Sequence, residues 1–135
     1  MPFARLTVSQ TLPADTAQHL STELTRLIAD DLAKQHELTS VLIDTPIANH
    51  WTIGAGLRQT AAHLEVNVTA GTNSPEQKAA FIASAMALLR ENIAQLDEAT
   101  YVVIKEIAAG DWGYNGLTQA ERARRRAAAA SSRIA

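Results

Sequence analysis

The sequence predicts an α+β fold made by duplication: a four-stranded mixed sheet with two helices on one face. Three observations predict it. Short apolar–polar alternations at residues 3–8 and 64–69 each precede a helical apolar stripe and then a second apolar run. Each resulting unit closes on a glycine loop that carries a tryptophan. The loops recur about sixty residues apart, Trp51 aligning with Trp112 and Ile53 with Tyr114. Two strands joined by one helix within a unit are parallel, through a right-handed crossover.

In order, Phe3, Ala4, Arg5, Leu6, Thr7 and Val8 alternate as a half-buried strand does, and Pro2 stands at its head, where a missing N–H costs nothing. Thr11-Leu12-Pro13 reads as a helix start with Thr11 as the cap. Leu20, Leu24, Leu27, Ile28 and Leu32 then fall on one helical face, opposite Glu23, Arg26, Asp30 and Lys34. Residues 35–38 break that pattern, residues 39–44 read as a β-branched strand, and Pro46 closes it. Asn49, Gly54 and Gly56 around Trp51 predict a small hairpin or loop. In the second unit Leu64, Val66 and Val68 alternate with Glu65, Asn67 and Thr69. Ser74-Pro75-Glu76-Gln77 has the form of a capping box, and Phe81, Ile82, Ala85, Met86, Leu89 and Ile93 form the expected stripe. Residues 101–107 are the fourth strand, and residues 109–116 the second aromatic loop. With apolar residues expected on both sheet faces, oligomerisation is the economical cover for the face without helices.

Residues 1–119 therefore read as one domain, with units at 2–56 and 62–116, and residues 120–135 as a basic, alanine-rich tail. Arg122, Arg124, Arg125 and Arg126 cluster within five positions of this tail, which reads as a solvated terminal helix. A net charge of −2 gives no whole-molecule attraction to nucleic acid or acidic membranes. There are no cysteines, which excludes disulfides, thiol catalysis and thiolate metal sites. No apolar run approaches the roughly 20 residues that span a bilayer, and no basic segment leads into an apolar one at the start. A cytoplasmic location is expected. His50 has no neighbouring carboxylate or second ligand, so a metal role is not expected.

The chemistry centres on Pro2. Removal of Met1 before this small residue is expected, and it would leave a free secondary amine. A terminal amine titrates at roughly 7.7–8.0, and burial lowers its pKa further by disfavouring the charged form. A buried Pro2 is thus a candidate general base.

Pro2, the duplicated β-α-β unit and the Trp112-Gly113-Tyr114-Asn115 loop together resemble the tautomerase superfamily, typified by 4-oxalocrotonate tautomerase and macrophage migration inhibitory factor. The resemblance covers residues 2 to about 119. It implies a homotrimer, with Pro2 at the mouth of a pocket between subunits. The proline nitrogen would take a proton from carbon α to a carbonyl and return it elsewhere, with no metal or organic cofactor. A cation would hold the enolate oxygen or a carboxylate, often the largest catalytic effect.

The chain departs from the family in its arginines. Single-unit members carry one after the first strand and one on the second strand; here those positions hold Thr11 or Leu12, and Ser40. In the second unit they are residues 70–73 and Tyr101, and the paired arginines of the dehalogenase and decarboxylase branches are replaced by Ala70 and Asn73. The first-helix histidine of the cis-dehalogenase branch is also missing. That weighs against hydration chemistry and tight dicarboxylate binding, since a guanidinium fork has no simple substitute.

Lys34 matches a lysine that flanks the proline in the migration-inhibitory-factor branch, and Lys105 falls near that branch's pocket tyrosine. Arg58, past the first hairpin, is a third candidate cation. Trp112 is assigned as a pocket wall, Tyr114 as a second aromatic there, and Trp51 as a subunit contact. Asn115 offers an amide donor. The resulting expectation is an isomerase, a keto–enol tautomerase acting on a small 2-hydroxydienoate or enolpyruvate-like compound. Its substrate-binding residues would be Lys34, Trp112, Lys105, Tyr114 and Arg58. The alternatives are a proline-dependent lyase or hydratase of decarboxylase or dehalogenase type, an amine nucleophile forming an iminium, or a non-catalytic trimeric binding module. No nucleic-acid or membrane partner is expected.

Overall fold

The computed structural model describes residues 2–47 and 50–134, the side chains of residues 133 and 134 excepted. Met1 and Asn49 lie outside the described residues. The elements run β1 (Phe3–Val8), α1 (Ala14–Leu32), β2 (Ser40–Asp44), β3 (Thr52–Ile53), β4 (Gly56–Leu57), β5 (Ala62–Thr69), α2 (Pro75–Asn92), β6 (Tyr101–Ile107), β7 (Gly113–Tyr114), β8 (Leu117–Thr118) and α3 (Gln119–Ile134). Four strands form one sheet in the order β2-β1-β5-β6. β1 and β2 are parallel, as are β5 and β6, and the units join through an antiparallel β1–β5 pair. The mixed sheet and its duplicated β-α-β plan are those expected.

Strand parity decides where the core sits. Ala4, Leu6 and Val8 of β1 lie opposite Val66, Leu64 and Ala62 of β5, and all six are buried. They pack against Leu20, Leu24, Leu27, Ile28 and Leu32 of α1 and Phe81, Ala85, Leu88 and Leu89 of α2. Fully burying each such large side chain contributes about 1.5–3 kcal/mol. The stripe expected on α1 is the one observed. On α2 it is rotated: Leu88 is buried, whereas Ile82 is 40% exposed. Alanines on several sides of this helix blur its apolar face.

The second sheet face corrects an expectation. Its positions are held largely by polar residues, because the period of two sends the leucines and valines of β1 and β5 to the helices. Here Arg5 pairs with Asp44 at 2.6 Å, and Glu65 accepts from both His63 and Lys105, at 3.0 and 3.1 Å. Apolar groups are scattered among them, with Phe3, Leu42 and Tyr101 exposed.

The helix starts differ. α2 begins with the full capping box, Ser74 Oγ accepting from Gln77 N while the Gln77 side chain accepts from Ser74 N. α1 has no side-chain cap. Pro13 rather than Thr11 stands at its cap position, and the Pro13 carbonyl accepts from Ala17 N at 2.9 Å. Both aromatic loops are two-residue hairpins: Gly54-Ala55 joins β3 to β4, and Asn115-Gly116 joins β7 to β8. All four turn residues have positive φ, as the tightest hairpin turns require. The tail is helical, and α3 starts directly after β8 with no linker.

Candidate active site

α1 ends at Ala33, whose left-handed backbone (φ 55°) turns the chain so that Lys34 reaches across to the β5–α2 loop. Lys34 Nζ donates to Thr72 Oγ1 at 2.7 Å, and Thr72 Oγ1 donates to the Thr69 carbonyl at 2.6 Å. Each hydroxyl has one proton, so this chain leaves Thr72 a pure acceptor toward the ammonium. Partial burial lowers the Lys34 pKa from its ordinary value, because desolvation disfavours the charged amine.

These residues form one side of a cleft of about 310 Å³. Lys34, Thr69, Thr72, Tyr114, Gln119 and Arg126 are among its walls, and no carboxylate lines it. The second hairpin and α3 close the other side. Trp112 Nε1 donates to Thr69 Oγ1 at 3.2 Å, and the Trp112 carbonyl accepts from Gln119 N at 2.9 Å. Arg122 stacks on the Tyr114 ring 3.7 Å from its centre and donates to the Tyr114 carbonyl at 2.9 Å. Gly113 makes the tight hairpin possible, since a Cβ there would fall 1.9 Å from the Leu117 carbonyl oxygen.

Pro2 is buried at the same end of the sheet. It precedes Phe3, which pairs with Asn67, and its carbonyl accepts from Ser40 N at 3.2 Å. Asn67 is two residues before the cleft residue Thr69. Within the subunit the cleft wall does not include Pro2.

The candidates therefore separate. Lys34 and Tyr114 line the cleft, and Trp112 braces it through Thr69. Lys105 sits on the open sheet face, paired with Glu65. Arg58 is at the opposite end of β5, donating to the Ile53 carbonyl and 3.6 Å from Asp97. Sequence reasoning missed Thr69, Thr72, Gln119 and Arg126. The spacing of Gln119, Ala123 and Arg126 on one face of α3 was a readable signal. Among the described residues no three His, Asp or Glu side chains converge to hold a metal ion, and no helix is long and apolar enough to cross a membrane.

Residues 63–122 match the family model described as Tautomerase enzyme. The second half of the chain thus carries a tautomerase unit. That tautomerase unit spans β5 through the second hairpin and the first residues of α3, so it contains Thr69, Trp112, Tyr114 and Gln119. Solved structures extend the likeness in fold over both units. The chain is similar to Pt0534 inactivated by 2-oxo-3-pentynoate, with a TM-score of 0.81 and 13% identity over 89% of this chain and 98% of that one. It is similar to native fused 4-OT, with a TM-score of 0.76 and 23% identity over 90% and 99%. A macrophage migration inhibitory factor-like protein from Entamoeba histolytica gives a TM-score of 0.72 and 15% identity over 87% and 97%. No curated protein matches.

Proposed function

We propose that the chain, once Met1 is removed, is a cofactor-free keto–enol tautomerase with Pro2 as its general base and acid. The neutral amine takes a proton from carbon α to a carbonyl as the enolate forms. The resulting ammonium returns that proton at another atom of the same molecule, so nothing is consumed. Lys34 faces the developing oxygen charge, and partial desolvation strengthens that attraction. Tyr114 supplies the aromatic side, and Trp112 braces the cleft from behind through Thr69. The observation that carries this reading is the placement of a buried Pro2 at the sheet end where Lys34 stands in a cleft without carboxylates.

The assembly proposed with it is a homotrimer. Fused 4-OT forms trimers. In this chain the outer edges of β2 and β6 are open within the sheet, and Phe3, Leu42 and Tyr101 are exposed on its uncovered face. Such groups suit a neighbouring subunit.

Ketonisation of phenylenolpyruvate and 2-hydroxymuconate tests the chemistry. A positioned base is worth about 10²–10⁴-fold, and Pro2→Ala is expected to lose that much of kcat. The inactivator of Pt0534 supplies a second test, because its alkyne is conjugated to a ketone and accepts an amine. Treatment with 2-oxo-3-pentynoate is expected to add one equivalent to the Pro2 peptide by mass spectrometry. A purified protein that retains Met1, or Pro2→Ala as active as wild type, overturns the reading.

A further inference from the structure

The basic tail is the one sequence feature that the proposed chemistry leaves unused, and the fold carries it to the cleft. Of the clustered Arg122, Arg124, Arg125 and Arg126, three are engaged. Arg124 donates to Glu121 at 2.6 and 2.8 Å, Arg125 donates to Glu121 at 3.0 Å, and Arg122 holds Tyr114. Among the described residues Arg126 has no hydrogen-bond or ion-pair partner, and it lines the same cleft as Lys34. Two cations facing one space without a carboxylate repel each other until an anion enters.

A second, independent observation points the same way. Gln119 is only 7% exposed, it lines this cleft, and its Nε2 has no hydrogen-bond partner among the described residues. A buried amide donor left unsatisfied costs about 1–3 kcal/mol, and a turn of the Gln119 side chain toward an acceptor in the cleft would recover that. Helical spacing puts Gln119, Ala123 and Arg126 on one face of α3. The small Ala123 between them leaves the space open. At about 310 Å³ the cleft is at the low end of the roughly 300–1,000 Å³ of small-molecule sites, which suits a compact acid.

We infer that Arg126, Lys34 and the Gln119 amide form a carboxylate seat, so that α3 supplies the cation missing from the strands. The ligand class is a small, planar monocarboxylate whose unsaturated chain lies against Tyr114. This rests on the tautomerase reading for its substrate, a 2-hydroxy-2-enoate; the seat itself does not depend on turnover.

The test separates the two. Cinnamate is planar and cannot enolise, so calorimetric titration with it reads the seat alone. Charge-assisted bonds of this kind are worth roughly ten- to a hundredfold in affinity. Arg126→Ala is expected to weaken cinnamate binding at least tenfold, Arg126→Lys to recover part of it, and Ala123→Leu to block it by filling the cleft. Arg124→Ala, which leaves the cleft wall intact, is expected to bind as wild type does. Wild type that does not bind cinnamate, or Arg126→Ala binding within twofold of wild type, overturns the inference. Normal cinnamate binding by a protein that ketonises nothing upholds the seat and removes the tautomerase reading. Ketonisation with KM unchanged in Arg126→Ala does the reverse.

Discussion

The duplication places two comparable hollows at opposite ends of the sheet, and they have diverged. At one end stand Pro2, Lys34 and the cleft beneath α3. Sixty-one positions on, Lys34 becomes Gln95 and Pro2 becomes His63. The hollow there is lined by Arg58, Gln59, Gln95, Leu96, Asp97 and Glu98. It contains its own acids, and Arg58 lies 3.6 Å from Asp97. Buried Thr60 donates to the Ala94 carbonyl at 3.0 Å, and its own carbonyl accepts from Asp97 N at 3.0 Å. Duplication reproduced the backbone twice but left one hollow acid-free and the other carrying its own acids. The hairpins differ in the same sense. The first ends in solvent with Leu57 71% exposed, while the second runs into α3 and walls the cleft.

Breaking this asymmetry at Lys34 has the largest expected effect. Lys34→Gln gives the first hollow the residue of the second, and cinnamate affinity is expected to fall about tenfold or more. The pH dependence sharpens the point. The folded-state pKa of Lys34 lies below its ordinary value, so its share of anion binding is lost as pH rises through that lowered value. Lys34→Gln should lack this alkaline loss and keep the part due to Arg126. The stability sign is opposite. The unfolded chain binds the Lys34 proton more tightly, so wild-type stability rises with pH across that window, and Lys34→Gln should not show the rise in urea titrations.

The hairpins give the next effect. Gly113→Ala forces a Cβ against the Leu117 carbonyl and is expected to cost about 1–3 kcal/mol. Gly56→Ala in the first hairpin, with 3.8 Å to its nearest neighbour, is expected to stay within about 0.5 kcal/mol. Equilibrium unfolding at one fixed protein concentration checks both, and equal costs would erase the distinction. The smallest effect is at the turns. Ala55 holds φ at 64°, where the second hairpin has Gly116. Ala55→Gly is expected to stabilise by about 0.5–1 kcal/mol, the left-handed strain outweighing the added freedom of the unfolded chain.

Much of the fold was legible because short-range physics fixed it. Alternation at Leu64, Val66 and Val68 set which face meets the helices, and the Ser74 to Gln77 box set the start of α2. The site was legible only in part. Lys34 and Tyr114 were found by resemblance, but Thr69 and Thr72 look like ordinary loop and strand-end residues until Lys34 is seen across from them. Arg58 and Lys105 were indistinguishable in sequence from a cleft cation. Their carboxylate partners, Asp97 and Glu65, lie 39 and 40 residues away in the chain. The arginine tail read as solvated because the face it turns to the cleft, Gln119, Ala123 and Arg126, has helical spacing but no large apolar residue.

The direct join of β8 to α3 makes the helix a rigid pointer. At about 1.5 Å per residue, Arg126 stands roughly 10 Å along the axis from Gln119. A difference of about ten degrees in how the hairpin launches the helix would move the guanidinium by about 2 Å. Acids of different length could thus be told apart by substitutions at the Asn115-Gly116 turn, which lies outside the cleft wall.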